Sequence, residues 1–204
     1  MVKRFAISGA IVALLALVAV GAACVNGILG IDSASVDQSL GPCSTYCNTV
    51  VKNCPNSEYN DVPTCQSLCP AFEPGTANDT NQDSLGCRMH YAQLAATDPS
   101  KCPAAGLLGG NVCGNDQCRT FCALDDFFCT GPLEPYDGGA VACTNTCRAN
   151  FQVYLQDAGN DLALQTGNTL NCRVYHLEAA AAPNDPSAKG VHCPHTGLIS
   201  TYCQ

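Results

Sequence analysis

Beyond residue 41 the apolar positions recur at helical spacing rather than in alternation. In Cys43-Ser-Thr-Tyr-Cys47 the i, i+4 step sets two sulfurs on one helix face, which Val50 or Val51 and Cys54 extend. Pro42 stands near the start of this helix and Pro55 ends it. A second helix reads from Val62 through Cys65, Cys69 and Phe72, and stops near Pro74-Gly75. A third runs from about Asp83 to Ala96, before Asp98-Pro99. The same order returns after residue 116, with longer second and third helices around 140–156 and 161–182 and an N-cap at Asn160 or Asp161. No period-two run stands out, so the expected fold class is all-α.

Cysteine spacing gives the organisation. The sixteen cysteines after Cys24 form two octets in the same order. The first is Cys43, Cys47, Cys54, Cys65, Cys69, Cys87, Cys102 and Cys113; the second is Cys118, Cys122, Cys129, Cys143, Cys147, Cys172, Cys193 and Cys203. Successive steps are 4, 7, 11, 4, 18, 15, 11 and then 4, 7, 14, 4, 25, 21, 10, so short steps agree and long ones vary. Other residues keep the register. Leu85, Cys87 and Arg88 match Leu170, Cys172 and Arg173, and Tyr59 and Asp61 answer Tyr136 and Asp137. Asp98-Pro99-Ser100, Cys102-Pro103 and Gly106 answer Asp185-Pro186-Ser187, Cys193-Pro194 and Gly197. The expected layout is two tandem helical modules of about three helices each, 42–114 and 116–204.

The N-terminus is of a different kind. Lys3 and Arg4 precede an apolar stretch from Phe5 to Ala23, closed by Gly21-Ala22-Ala23-Cys24. A basic start, an apolar run and small residues make an export signal over 1–23. The run is also long enough for one membrane span, but its position and its glycines and alanines favour cleavage. The junction resembles the lipobox of bacterial lipoproteins, although Gly21 departs from the usual aliphatic residue. The resemblance implies acylation of Cys24, with Val25 after it permitting transfer to an outer membrane. Unmodified cleavage after Ala22 or Ala23 is the alternative. Residues 24–41, rich in Gly, Ser, Asp and Gln, read as a tether between anchor and folded body.

Composition sharpens this. The chain has 204 residues, 17 of them Cys, and a net charge of −8 that becomes −10 once Lys3 and Arg4 are removed. Such an acidic chain is repelled by nucleic acid and by anionic membranes, which excludes them as direct partners. The cysteine content belongs to a disulfide scaffold in an oxidising compartment. Each octet is even, and Cys24 is the one left over, where acylation would consume its thiol.

Two Cys-x-x-x-Cys helices in succession resemble the twin-CX3C helical hairpins of small exported proteins. That resemblance implies nested bridges, Cys43–Cys69 with Cys47–Cys65 and Cys118–Cys147 with Cys122–Cys143. For the other cysteines the expectation is Cys54–Cys87 with Cys102–Cys113, and Cys129–Cys172 with Cys193–Cys203. Modules with so few Leu, Ile and Phe and no Trp need such staples.

Chemical motifs are mostly missing. There is no Cys-x-x-Cys, which removes thioredoxin-type redox, c-type haem attachment and zinc ribbons. No G-x-S-x-G, H-E-x-x-H, P-loop or dinucleotide glycine pattern occurs. Histidine is the uneven feature: His176, His192 and His195 fall in the second module, against His90 alone in the first. Three imidazoles suit Zn²⁺ or Cu²⁺ with one position left open; the alternative is packing beside a disulfide and surface loops. Arg88 and Arg173 read as internal ion pairs or carbonyl caps, and Asp61, Asp98, Asp137 and Asp185 as turn and cap residues. Asp125-Asp126 reads as a helix surface beside a core pair, Phe127-Phe128. The CX3C helices also resemble exported copper-storage bundles, in which thiolates hold Cu(I).

Taken whole, the chain resembles cysteine-rich exported bacterial lipoproteins without an established activity. The expectation is a non-enzymatic structural or binding module of the cell envelope, held at the outer membrane or cell surface by a lipid anchor, with no cofactor required and an envelope partner unspecified. Metal binding, through the histidines or through thiolates, is the alternative. A metal-dependent hydrolase on the same histidines is the enzymatic reading.

Overall fold

A computed structural model describes residues 40–55, 58–151 and 165–204. The signal segment 1–23, Cys24, the tether up to residue 39, and the Asn160 or Asp161 cap lie outside the described residues. Every regular element described is helical. In order they are α1 (Leu40–Asn53), α2 (Val62–Leu68), α3 (Leu85–Leu94), α4 (Cys102–Ala105), α5 (Gln117–Phe128), α6 (Gly139–Asn150), α7 (Leu170–Ala180) and α8 (Ala188–Thr196). Single 3₁₀ turns sit at Cys69–Ala71, Pro99–Lys101, Gly109–Asn111 and Gly131–Leu133. Among the described residues no helix is long and apolar enough to cross a membrane.

Local chemistry explains where the helices start. Asp61 accepts from the Thr64 backbone N–H at 2.7 Å and opens α2. Ser84 and Thr169 do the same for α3 and α7 through Cys87 N and Cys172 N, at 3.2 and 3.1 Å, and Asp116 caps α5 through Arg119 N. Among its described residues each half contains a fourth helix that hydrophobic spacing did not announce, α4 and α8. α4 is one turn beginning Cys102-Pro103, too short for periodicity to reveal, and α8 carries Pro194 inside it. In the second half α6 ends at Asn150 and α7 begins only at Leu170, both inside the expected limits. The three consecutive left-handed residues Gly109, Gly110 and Asn111 turn the chain back so that Cys113 reaches α3.

All sixteen described cysteines are paired. Cys43–Cys69 and Cys47–Cys65 clamp α1 to α2, and Cys118–Cys147 and Cys122–Cys143 clamp α5 to α6. The remaining pairs differ from expectation: Cys54 joins Cys102, not Cys87, and Cys87 joins Cys113, not Cys102. Likewise Cys129 joins Cys193 and Cys172 joins Cys203. The reason is the fourth helix, which carries Cys102 or Cys193 back against the end of the first helix, with Cα–Cα distances of 5.5 and 5.6 Å. Numbered along each octet, both follow one pattern: first to fifth, second to fourth, third to seventh, sixth to eighth. The bridges place the protein in an oxidising, exported environment.

Between the sulfurs the core is filled by Tyr46, Val50, Tyr59, Leu68 and Leu107 in the first half and by Phe121, Leu124, Leu170 and Leu177 in the second, all buried. Residues Ser39–Gln204 form one compact unit, with α2 touching α7 and α5 touching α7.

Candidate functional site

The site is built on α7 and α8. His176 lies one turn after Cys172 on α7, so it shares the face that carries the sulfur. His192 and His195 lie three residues apart on α8 and flank Cys193, which ties α8 to the end of α5. The Cys172–Cys203 bridge draws the C-terminal residues across α7. These constraints bring the three histidines together, with ring centroids 4.7 Å apart for His176–His195, 5.3 Å for His176–His192 and 6.1 Å for His192–His195. Tyr202 lies over the cluster, 4.4 Å from the His195 ring and 5.6 Å from the His176 ring.

The polar atoms of the cluster are incompletely used. Nδ1 of His176 and Nδ1 of His192 share one hydrogen bond at 3.0 Å, so one ring donates and the other accepts. His176 Nε2 and His195 Nδ1 are buried and have no hydrogen-bond partner. One ring nitrogen from each histidine lies within 4.8 Å of the others. A tetrahedral ion bound at about 2.1 Å needs nitrogens about 3.4 Å apart, which modest side-chain rotation supplies. Burial, then the neighbouring His195 and His192, push the His176 imidazole down to about 4. Burial and then His192 lower His195 as well. At neutral pH both rings are therefore neutral, the form that ligates metals.

Two buried polar groups of the second half support this corner. Arg173 is fully buried, lies over the Phe151 ring at 3.5 Å, and donates to the carbonyls of Thr169 at 2.9 Å and Cys203 at 3.2 Å. No carboxylate among the described residues pairs with it, and its Nε has no partner. Arg88, at the same offset in the first half, donates to Asp83 at 2.8 Å and to the carbonyls of Ser84, Gly106 and Leu107. The predicted carbonyl capping holds for both, and the ion pair for Arg88.

Asp125 corrects a sequence reading: it is buried, not on a helix surface, whereas its neighbour Phe127 is about half exposed. The Thr196 hydroxyl stands 2.7 Å from Asp125 Oδ1 and 2.7 Å from the Cys193 carbonyl. The hydroxyl is the donor and both oxygens are acceptors. Burial drives the Asp125 carboxyl up to about 7, the Thr196 contact works against it, and Asp126 and Glu134 add to it. Asp98 and Asp185, expected in turns, each accept from a serine two residues on, Ser100 and Ser187.

Sequence reasoning singled out the three histidines. It missed Tyr202, which no spacing connects to them, and Asp125, whose offset from Cys118 equals that of the buried Val50 from Cys43. None of the sixteen paired sulfurs is a free thiolate, which leaves the thiolate copper store without ligands among the described residues. No known protein-family pattern matches this chain, and no solved structure matches it.

Proposed function

We propose that this is a non-enzymatic binding module of the bacterial cell envelope that holds one Zn²⁺ or Cu²⁺ ion at His176, His192 and His195. The observation that carries it is the convergence of three ring nitrogens within 4.8 Å, two of the rings offering buried nitrogens with no other partner. Three neutral imidazoles and an open fourth position suit either ion. At the same offsets the first half has Tyr91, Lys101 and Ala104, so it offers no such set.

In this reading residues 1–23 are removed on export, Cys24 is acylated, and the tether holds two tandem copies of one helical module away from the membrane. The shared bridge order of the two octets supports the duplication, and the odd cysteine count, with Cys24 ahead of two even octets, supports the anchor.

Metal analysis of the untagged mature protein tests the site. The expected result is one equivalent of Zn²⁺ or Cu²⁺ retained after gel filtration, and none in the His192→Ala/His195→Ala variant with an unchanged helical spectrum. Equal metal in both proteins overturns the site, and the module is then a structural one. Mass spectrometry of the mature N-terminus tests the anchor: a chain beginning at Cys24 with acyl chains is expected, and an unmodified Ala23 or Cys24 start refutes it.

A further inference from the structure

The histidine cluster borders a disulfide. The sulfurs of Cys172 and Cys203 and a ring nitrogen of His176 lie within 4.8 Å of one another, and all three residues are buried. Among the described residues no other bridge has a third such ligand in range. The same His176 belongs to the imidazole triad, so the two ligand sets share one residue.

Charge separates this bridge from its counterpart. In the first half the equivalent Cys87–Cys113 pair adjoins Arg88, whose charge Asp83 balances at 2.8 Å. In the second half Arg173 follows Cys172 and donates to the Cys203 carbonyl, with its Nε unpartnered and no carboxylate among the described residues. Asn168 stands at the offset that Asp83 occupies. Three neutral imidazoles leave an ion's two charges uncancelled in this buried corner, whereas two thiolates cancel them.

We propose that Cys172–Cys203 is a redox gate on the metal site: its reduction turns a three-imidazole site into a tighter mixed thiolate–imidazole site for Zn²⁺ or Cu(I). The reductant is a dithiol. One of its thiolates attacks a bridge sulfur, and its second thiol resolves the mixed disulfide. The dithiol leaves as a disulfide, and Cys172 and Cys203 gain two electrons and two protons. The incoming ion displaces those two protons to solvent and takes both sulfurs with His176. The frame survives because seven bridges remain, including Cys129–Cys193, which anchors α8.

This rests on the imidazole site proposed above, and cobalt distinguishes the two. Co²⁺ is titrated into the mature protein, oxidised or after one equivalent of dithiothreitol, with alkylation and mass spectrometry identifying the reduced cysteines. In the oxidised protein, d–d bands without a sulfur-to-cobalt charge-transfer band are expected. After limited reduction that band appears, binding tightens by roughly tenfold or more, and Co²⁺ protects Cys172 and Cys203 from alkylation. The Cys172→Ser/Cys203→Ser variant keeps the oxidised-type bands and gains no charge transfer. The proposal is overturned if the first cysteines reduced lie elsewhere, if Cys172 and Cys203 are free without the band, or if helicity collapses on their reduction. Co²⁺ bound only by the reduced protein removes the three-imidazole reading and leaves the thiolate one. Co²⁺ bound equally in both states, without the band, does the reverse.

Discussion

The two halves of the molecule use one sulfur framework and spend their buried polar positions differently. In the first half Arg88 has Asp83, Val50 packs one turn from the end of α1, and Ala105 ends α4. At the same offsets the second half has Arg173 with Asn168 in place of the aspartate, then Asp125 and Thr196. An apolar pair has become a hydrogen-bonded acid and hydroxyl, and a cation with a carboxylate partner has become one without such a partner among the described residues. The side chains that depart from the first half's pattern surround the α7–α8 corner where the histidines meet. The framework supplies the stability that lets one half carry such costly groups.

Breaking the comparison at its root means removing the sulfur bonds. Full reduction is expected to abolish the helical circular dichroism of both halves, since each long bridge alone is worth on the order of 4 kcal/mol in the chain-entropy model. A subtler break is Cys54→Ala/Cys102→Ala against Cys129→Ala/Cys193→Ala. Both lower the denaturant midpoint by similar amounts, yet only the second, which unties α8, reduces metal retention.

Arginine sharpens it next. Arg88→Met removes the partly exposed ion pair with Asp83 and the donors to three carbonyls, and is expected to cost about 2 kcal/mol. Arg173→Met strands no carboxylate among the described residues and is expected to cost about 1 kcal/mol. Urea titrations with bridges intact compare them, and a larger loss at Arg173 would contradict the assigned charge balance.

Asp125 gives the pH test. Its carboxyl is held at about 7 when folded, above its unfolded value near 4, so the folded state holds the extra proton between those limits. It contributes a stability that falls as pH rises from about 4 to 7. His176, at about 4 when folded, contributes in the opposite sense, losing stability as pH falls below about 6.5. Asp125→Val/Thr196→Ala restores the first half's chemistry. It is expected to leave the histidine trend alone and to raise stability at pH 8 relative to the parent by up to about 4 kcal/mol. An unchanged pH profile would reject the upward shift of this carboxyl.

The smallest effect concerns one carbonyl in each half. Tyr46 donates to the Ala105 carbonyl at 2.7 Å, and Tyr136 donates to the Thr196 carbonyl, the equivalent one, at 2.7 Å. Tyr46→Phe and Tyr136→Phe are each expected to cost about 1 kcal/mol in thermal unfolding. The two tyrosines come from different stations, since Tyr136 answers Tyr59, whose hydroxyl instead meets that of Tyr46 at 2.9 Å.

How far the sequence could be read follows from these particulars. The all-α class and the inner bridges depended on i, i+4 sulfurs within single helices, which spacing displays directly. The outer bridges depended on α4 and α8, where Cys-Pro starts in one case and a proline within the helix in the other hide the periodicity. Convergence of His176 with His192 and His195 depended on the crossing of α7 and α8, set by sulfurs whose partners spacing did not give. Asp125 was legible in principle, because aligning the octets puts it opposite Val50. Tyr202 was not, since its place over the rings comes only from the bridge at Cys203.

The bridge order also governs what a protease can release. The closed loops 43–69, 54–102 and 87–113 overlap, as do 118–147, 129–193 and 172–203. Any peptide bond cut within either run leaves its fragments covalently joined. Between Cys113 and Cys118 only Gly114, Asn115, Asp116 and Gln117 lie outside every loop. A nick there leaves two separately cross-linked pieces with no covalent bond between them, and everywhere else inside the runs shedding requires a reductant as well as a protease.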